Sequence, residues 1–433
     1  MEHRIVINNF GPIKEVDLKI DKYTLFIGPN ASGKSTIAKL VYFCRTWLHS
    51  IAYSFIHFLI VLDNENQPDE SELFEELNKV ANDLFHTIWN IEALQDDLEF
   101  CYYSLDVKQK LFSIRKSPED KNEIEVHFSD NYAIQMKTLY QIDIDRIHDK
   151  LKATKNKRTL YYLVYAAGEE AGHASAMYIL TKGVRFIPAG RQAFAIPKDE
   201  RPTFSQDYFM RGFYEYTKGL KKGFRKPISH KLLELKTGDS PPKRIECLEL
   251  VQDLTSKILK GEYVSPRDDE RIYIDNNQYV KLYEASSGQQ EALWILNSIY
   301  ASIEQRRECF TIIEEPEAHL YPETQKALTE LISLLANQPG NQVMLTTHSP
   351  YILSALNNLL YAHKVGKTKP DEMAEVIDPL LWVDIKDVAA YVVEDGKIRN
   401  IIDHELGIIN AEEIDSASRI IADEFDTILK LED

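Results

Sequence analysis

Cysteine is scarce in this 433-residue sequence, which contains four: Cys44, Cys101, Cys247 and Cys309. None forms a CxxC pair, which excludes the usual spacing of a zinc site, and a chain of this size needs no disulfide framework. We therefore expect a reducing, cytoplasmic compartment. The first residues, MEHRIVINNF, predict a strand instead of a signal peptide.

Positive charge is in deficit, since 51 Lys and Arg stand against 68 Asp and Glu, a net charge of -17. This balance excludes a protein that binds nucleic acid over its whole surface, but it leaves room for a local basic groove. The most basic stretch, RGFYEYTKGLKKGFRKPISHK at 211–231, mixes Lys and Arg with aromatic residues. It is compatible with a nucleic-acid or protein contact and with the commoner alternative, a solvated amphipathic helix and loop.

The sequence also lacks a clear membrane-spanning run. The longest apolar stretch, TWLHSIAYSFIHFLIVL at 46–62, contains His49 and His57 and follows Arg45. These polar residues favour a buried helix over a membrane span. Because no heptad pattern is sustained, a long coiled coil is excluded as well.

Hydrophobic periodicity predicts a mixture of strands and helices. Three strands open the chain, RIVINNF, EVDLKI and YTLFIG, with turns at Gly11–Pro12 and Asp21–Lys22. A helical pattern follows to residue 98, interrupted by the acidic loop DNENQPDESE, and a hairpin is predicted over 122–137. The later predictions are helices over 144–177 and within 205–262, a strand in 183–192, a hairpin turning at Asn276–Asn277, a helix over 289–303, a strand over 310–313, a helix over 323–336, a strand over 342–347, a hairpin turning at Asp395–Gly396 and a helix over 411–431.

A glycine-rich loop follows the third strand. Gly28, Gly33, Lys34 and Ser35 match the pattern G-x-x-x-x-G-K-[ST], with a strand before it and a helix after it. In such a loop the backbone N–H groups surround phosphates, the lysine reaches the β- and γ-phosphates, and the hydroxyl ligates Mg²⁺. The predicted ATP-binding residues are Gly28, Asn30, Ala31, Ser32, Gly33, Lys34, Ser35 and Thr36.

An apolar strand, FTII, ends in two adjacent carboxylates, Glu314 and Glu315. Buried unpaired carboxylates cost several kcal/mol, so the pair needs a reason unless it simply faces solvent. A phosphate-binding loop brings a metal that needs a carboxylate and a water that needs a base. We therefore predict that Glu314 lies on the Mg²⁺ side, directly or through water, and that Glu315 polarises the attacking water.

Four stretches in one order, GPNASGKST, ASSGQQE, IIEEPEAHL and TTHSPYIL, resemble the ABC-type ATPase heads of the SMC-like and OLD-like group. The resemblance implies an α/β fold: a P-loop head with a mixed central sheet flanked by helices, an antiparallel lobe and helical insertions. It divides the chain into an N-terminal head lobe with the phosphate-binding loop (1–45), a helical insertion (46–121), an antiparallel hairpin of the head (122–145), a mainly helical insertion with a head strand near 183–192 (146–262), and a C-terminal head lobe with the signature, the carboxylates and the switch histidine (263–433).

The same resemblance implies a head-to-head homodimer with two ATP molecules sandwiched between the subunits. Ser286, Gly288 and Gln289 fall in the signature-like stretch, so that the Ser286 hydroxyl and the Gly288 N–H would contact the γ-phosphate held by the other subunit. Ser286 is equally well placed to cap a helix that starts at Gln289, and the two roles are compatible. The signature reads SSGQ where the family has SGGQ, and Glu stands at 314 where Asp is commoner.

Three further residues acquire roles by resemblance alone. His348 resembles the switch histidine that contacts the γ-phosphate in its own subunit, although a histidine at a strand end is more often structural. Gln192 resembles the glutamine that links metal and water. Arg191 is compatible with a phosphate contact or with a surface salt bridge.

Several functions fit this head. No nuclease site is expected, because Asp384 and Asp387 have the wrong spacing for a Toprim site and no HNH-like cluster is present. One hypothesis is therefore an ATPase switch that regulates a separate effector, such as a Toprim or HNH nuclease, as in antiphage systems of the PARIS, Septu or retron-linked kind. The alternatives are a RecF-like ATPase that clamps DNA, an ATP-binding scaffold with little turnover and, less well supported, a transporter subunit.

Overall fold

The computed structural model describes residues 3–61, 70–105, 108–134, 183–196, 204, 207–238, 241–266, 269–275, 278–410 and 416–431. The strands are β1 (His3–Phe10), β2 (Ile13–Ile20), β3 (Tyr23–Ile27), β4 (Glu99–Ser104), β5 (Gln109–Lys116), β6 (Ile124–Phe128), β7 (Gly183–Ile187), β8 (Glu262–Val264), β9 (Arg271–Tyr273), β10 (Tyr279–Lys281), β11 (Cys309–Glu314), β12 (Gln342–Thr347), β13 (Val388–Glu394), β14 (Lys397–Asn400), β15 (Ile402–Asp403) and β16 (Ile408–Ile409). The α-helices are α1 (Lys34–Val61), α2 (Glu70–Ile88), α3 (Tyr208–Lys221), α4 (Ile228–Thr237), α5 (Pro242–Leu259), α6 (Ser287–Glu304), α7 (Pro322–Asn337), α8 (Pro350–Gly366), α9 (Pro370–Ala374) and α10 (Ser416–Leu429).

Within the described residues, one large sheet has the strand order β6-β5-β4-β1-β2-β14-β13-β3-β12-β11-β7. Strands β6, β5, β4, β1 and β2 pair antiparallel and form what we term the antiparallel half. Strands β13, β3, β12, β11 and β7 pair parallel and form the parallel half. The hairpin partner β14 joins the two halves. This mixed sheet flanked by helices confirms the predicted fold class.

The burial patterns of the strands differ between the two halves. Strands β3, β11 and β12 are buried along their whole length, as expected for parallel strands that have helices on both faces. Strand β2 instead alternates buried and exposed residues, which is typical of an antiparallel strand with one solvated face.

Two apolar cores lie on opposite faces of the sheet. Phe43 and Trp47 of α1 pack in the first core with Phe85, Phe100 and Phe112. The second core joins the other face of the parallel half to helices α5 to α8, and Trp294 of α6 is its largest fully buried side chain. Adjacent residues of β11 divide between the two cores, which fixes the register of the strand at its carboxylate end.

The apolar stretch at 46–62 is helical up to Val61. Trp47 and Leu48 are fully buried, but the burial of its later side chains lies outside the described residues. Across the described ranges, no helix combines the length and the apolar character needed to cross a membrane.

The first three strands, the β9–β10 and β13–β14 hairpins and the late strand and helix alternation confirm the predicted pattern. The prediction of a hairpin over 122–137 is wrong. Strand β6 pairs with β5, and the chain then turns helical, because the Ser129 carbonyl accepts from the Ala133 N–H at 2.8 Å and its hydroxyl from the Tyr132 N–H at 3.3 Å.

The helical prediction for 46–98 agrees with α1 and α2, but the helical insertion predicted over 46–121 needs correction in its last part. Residues 99–116 contain β4 and β5, and β4 joins the main sheet by pairing with β1. Strand β4 forms because it pairs with β1, almost a hundred residues away in the chain. The periodicity of residues 99–116 gives no information about this distant partner. The helix predicted over 144–177 and the turn at Asn276–Asn277 lie outside the described residues.

Candidate active site

The parallel half brings the predicted site residues to one edge of the sheet. Ile27, at the end of β3, is in register with Thr347, and Glu314 is in register with Thr346. Strand β7 ends beside β11, where Ile313 is in register with Ile187. Because parallel strands end at the same edge, the segments after β3, β11, β12 and β7 converge there, as in other α/β ligand sites.

The loop between β3 and α1 requires glycine at two positions. Gly28 and Gly33 have φ angles of 153° and 107°, which side chains rarely adopt. A Cβ atom added at Gly28 would lie 2.2 Å from the Val393 carbonyl oxygen, and one at Gly33 would lie 2.4 Å from Ile13 Cδ1. Helix α1 begins directly after this loop at Lys34.

The Lys34 side chain folds back over this loop. Its Nζ donates to the carbonyl oxygens of Gly28 at 2.9 Å and Pro29 at 2.6 Å. Burial lowers the pKa of Lys34, and the negative charges of Glu315 and Glu317 oppose that shift. A partly desolvated ammonium that stays protonated is suited to binding an anionic group at this loop.

His348 links the loop lysine to a carboxylate. Its Nδ1 lies 3.5 Å from Lys34 Nζ, and its Nε2 lies 3.2 Å from Glu315 Oε1. Since the lysine ammonium can only donate, Nδ1 acts as the acceptor and Nε2–H donates to the carboxylate. The structure therefore brings three of the predicted site residues, Lys34, His348 and Glu315, to one place.

Glu317 anchors this histidine, a role that sequence reasoning missed. Its Oε1 accepts from the Thr347 hydroxyl at 2.6 Å and from the His348 backbone N–H at 2.6 Å. The available signal was a third carboxylate in the EEPE stretch, directly after Pro316.

Glu314 is buried, with 6% exposure, so the solvent-facing alternative is wrong for this carboxylate. Burial raises the pKa of Glu314, while Lys39 and the Ser35 hydroxyl oppose that shift. Its Oε2 accepts from the Ala189 N–H at 3.4 Å, and its Oε1 is buried with no hydrogen-bond partner among the described residues. A cation beside Glu314 and Ser35 would stabilise the ionised carboxylate.

Arg191 is fully buried, so its assignment to a surface salt bridge is wrong. Its Nε lies 3.1 Å from Glu291 Oε2, and its other guanidinium nitrogens donate to backbone carbonyls of the protein, which leaves the predicted phosphate contact without support. Gln192 is exposed, and its backbone N–H donates to Glu291 Oε1 at 3.2 Å. Glu291 was not predicted, because nothing in the sequence separates it from a surface residue of an amphipathic helix.

The signature-like residues form the start of helix α6. The Ser286 hydroxyl accepts from the Gln289 N–H at 3.3 Å, and Gln289 Oε1 accepts from the Ser286 N–H at 3.0 Å. This reciprocal capping box starts the helix at Ser287, two residues before the prediction. Gly288 packs so closely on the turn after β11 that an added Cβ would lie 2.7 Å from the His319 carbonyl oxygen. Among the described residues, the hydrogen bonds of this stretch do not reach the phosphate-binding loop.

A glycine-rich phosphate-binding loop opposite a carboxylate pair, at the carboxyl edge of a parallel sheet, defines a P-loop nucleoside triphosphatase. The family model described as AAA ATPase domain (AAA_15) matches residues 1–353. The chain belongs to this family, and it is an ATPase.

Solved structures of similar architecture are distant. An SMC head bound to the C-terminal winged-helix domain of ScpA shares 12% identity over 92% of this chain and 96% of its own, with a TM-score of 0.41. The SMC head domain of Thermotoga maritima shares 10% identity over 92% and 97%, with a TM-score of 0.36. A bacterial ABC transporter cassette, MJ0796, solved as a dimer, shares 12% identity over 91% and 96%, with a TM-score of 0.33. No curated protein matches the sequence significantly.

Proposed function

We propose that this protein is a Mg²⁺-dependent ATPase that works as a dimeric conformational switch and regulates a separate effector, in bacterial antiphage defence. One observation carries the catalytic part of the proposal. A single histidine ring joins the phosphate-binding loop to the carboxylate turn, the turn of Glu314 and Glu315 at the end of β11. Lys34 Nζ lies 3.5 Å from one ring nitrogen and Glu315 Oε1 lies 3.2 Å from the other. The residue for phosphate binding and the residue for water activation therefore share one small site.

The residues at this edge fit a magnesium ion. Glu314 offers a buried carboxylate oxygen that has no partner among the described residues, and the Ser35 hydroxyl lies close enough to lower the pKa of that carboxyl group. Mg²⁺ prefers oxygen ligands and is commonly held by one or two protein groups together with phosphate oxygens. When bound with ATP, it would neutralise charge on the phosphates. Glu314 and Ser35 are the proposed ligands.

The other residues divide the remaining work. Lys34 binds the β- and γ-phosphates, supported by loop residues 28–36. Glu315 orients and polarises the attacking water, and His348, whose Nε2–H holds Glu315 in this structure, would contact the γ-phosphate through the same N–H when ATP is bound. Gln192, exposed after β7, links metal and water.

The dimeric switch rests on the start of helix α6. Ser286 is exposed, and the Gly288 N–H lies in the first turn, where a helix N-terminus favours an anion. In the proposed closed dimer, Ser286, Gly288 and Gln289 contact the ATP bound by the partner subunit. Closure and reopening of the heads would then pass the nucleotide state to the effector.

Light scattering during gel filtration tests the switch. Glu315→Gln should retain ATP, because the amide keeps the size of the side chain but is a poor base, and should form a dimer with Mg²⁺ and ATP. The matched control, Glu315→Gln combined with Lys34→Ala, should not respond to ATP. An oligomeric state that is identical with and without ATP would contradict the switch. ATP-dependent DNA binding that weakens steeply with salt would favour the DNA clamp instead.

A further inference from the structure

Arg191 and Glu291 form an ion pair inside the protein, close to the carboxylate turn. The two side chains are 0% and 1% exposed. Removing such charges from water costs several kcal/mol per ion, and well-packed apolar residues are often as stable or more stable in their place. Stability alone is therefore a weak reason for this pair.

The guanidinium of Arg191 connects three elements of the structure. Its Nη1 donates to the carbonyl oxygens of Glu314 at 2.6 Å and Pro188 at 2.7 Å. Its Nη2 donates to the Glu315 carbonyl oxygen at 2.9 Å, and its Nε donates to the Glu291 carbonyl oxygen at 3.0 Å. The end of β7, the end of β11 and helix α6 thus meet at one side chain.

The carboxylate turn needs such support because its backbone is strained. Glu315 has a φ angle of 42°, in the left-handed region that residues with a side chain rarely adopt. Backbone strain of this kind persists only where the surroundings hold it in place. The Glu315 N–H donates to the Thr346 carbonyl oxygen at 2.9 Å, and Arg191 holds the carbonyl side of the same residue.

Glu291 fixes Arg191 in turn. Its Oε2 accepts from the Arg191 backbone N–H at 3.1 Å, and its Oε1 accepts from the Gln192 backbone N–H at 3.2 Å. Glu291 lies in the same helix that Ser286 caps. A continuous set of contacts therefore runs from helix α6 through Glu291 and Arg191 to the backbone of Glu315.

We propose that Arg191, held by Glu291, is a positioning residue that fixes the backbone of Glu314 and Glu315 and ties this turn to helix α6. The inference rests on the proposed function, because it takes Glu315 as the residue that polarises water. Arg191 acts through the backbone of the turn and touches no substrate. A shift of helix α6 would therefore reach Glu315 through this side chain.

The double variant Arg191→Met with Glu291→Met separates positioning from stability. It removes both charges and leaves neither ion unpaired, so the fold should be retained. With the turn no longer held, kcat should fall about 100-fold while the Kd for ATP stays within about threefold, since small displacements of a catalytic group are costly. A double variant with wild-type kcat would overturn the proposal.

Arg45→Met is the matched control. Arg45 is also buried, with 3% exposure, and its guanidinium lies 4.9 Å from the ring of Phe310, at the opposite end of β11 from Glu314. Its loss should change the melting temperature and leave kcat unchanged. A fall in kcat equal to that of the double variant would show a general packing effect and overturn the proposal.

Arg191→Lys keeps the inference testable if the double variant does not fold. The lysine retains the charge opposite Glu291, but one ammonium cannot replace a planar fork that bonds to several carbonyls. We expect kcat about tenfold lower with KM nearly unchanged, and unchanged kcat would overturn the proposal. If Glu315→Gln is inactive while both Arg191 variants turn over normally, only this inference fails. If Glu315→Gln itself turns over normally, the proposed role of Glu315 fails.

Discussion

Both halves of the sheet contain fully buried side chains, but they differ in where the ends of their strands lie. In the parallel half, Lys34, Glu315, His348 and Arg191 each come shortly after a strand, and all four lie at one edge. In the antiparallel half, successive strands end at opposite edges, so their loops do not converge. The comparison teaches that strand direction, more than burial, decides where this chain can assemble a site.

Lys34→Ala should have the largest effect of the changes that test this comparison. It removes a charge-assisted contact to phosphate, so the Kd for ATP should rise about 10- to 100-fold, with a matching loss of turnover at low ATP. Fluorescent ATP analogue binding measures the change. Lys22→Ala is the control. Lys22 lies just before β3, at the end of this strand that is remote from the phosphate-binding loop, and it pairs there with Asp387. A comparable rise in the Kd for ATP in both variants would contradict the claim that the site lies at only one edge of the parallel half.

Glu317→Gln should have an intermediate effect. The amide oxygen can still accept from the Thr347 hydroxyl and the His348 N–H, but it loses the negative charge that strengthens both hydrogen bonds. We expect kcat about tenfold lower, because charged hydrogen bonds contribute about 1.5–3 kcal/mol and part of this bonding remains. Steady-state phosphate release gives kcat, and an unchanged kcat would show that Glu317 has no role in catalysis.

Phe112→Ala, in the antiparallel half, should have the smallest effect on turnover. Phe112 is fully buried, and its ring centroid lies 4.8 Å from that of Trp47. Its loss should lower the free energy of unfolding by about 3–5 kcal/mol through the transfer and cavity costs. The kcat per folded molecule should stay close to that of the wild type.

Leu345→Ala is the matched change in the parallel half. Leu345 is also fully buried, in the strand that ends at Thr347, so its loss should destabilise the protein and lower kcat as well. Chemical unfolding and phosphate release on the same samples separate the two effects. Equal kcat in both variants would contradict the division of roles between the halves.

The sequence predicted the parallel half better than the antiparallel half. Strands β3, β11 and β12 are short apolar runs that end in residues with evident chemistry, so both their extent and their role could be inferred from the local sequence. Strands β4 and β5 were missed because their pairing with β1 depends on distant residues. Local periodicity does not contain that information.

The site divides in the same way. The glycine pattern and the EEP stretch carry enough chemistry to predict Lys34, Glu314 and Glu315 without coordinates. Glu291 and the buried contacts of Arg191 could not be found, because this ion pair joins segments a hundred residues apart. An arginine in a loop and a glutamate in a helix look like surface residues until the fold places them together.

The rate of ATP hydrolysis by Glu315→Gln, compared with the wild type at saturating ATP and Mg²⁺, tests the central claim most directly. If Glu315 polarises the water beside the phosphate held by Lys34, kcat should fall about 100- to 10,000-fold while ATP still binds. Wild-type turnover should also be lost when EDTA removes the metal. Equal turnover in Glu315→Gln and wild type would contradict the account.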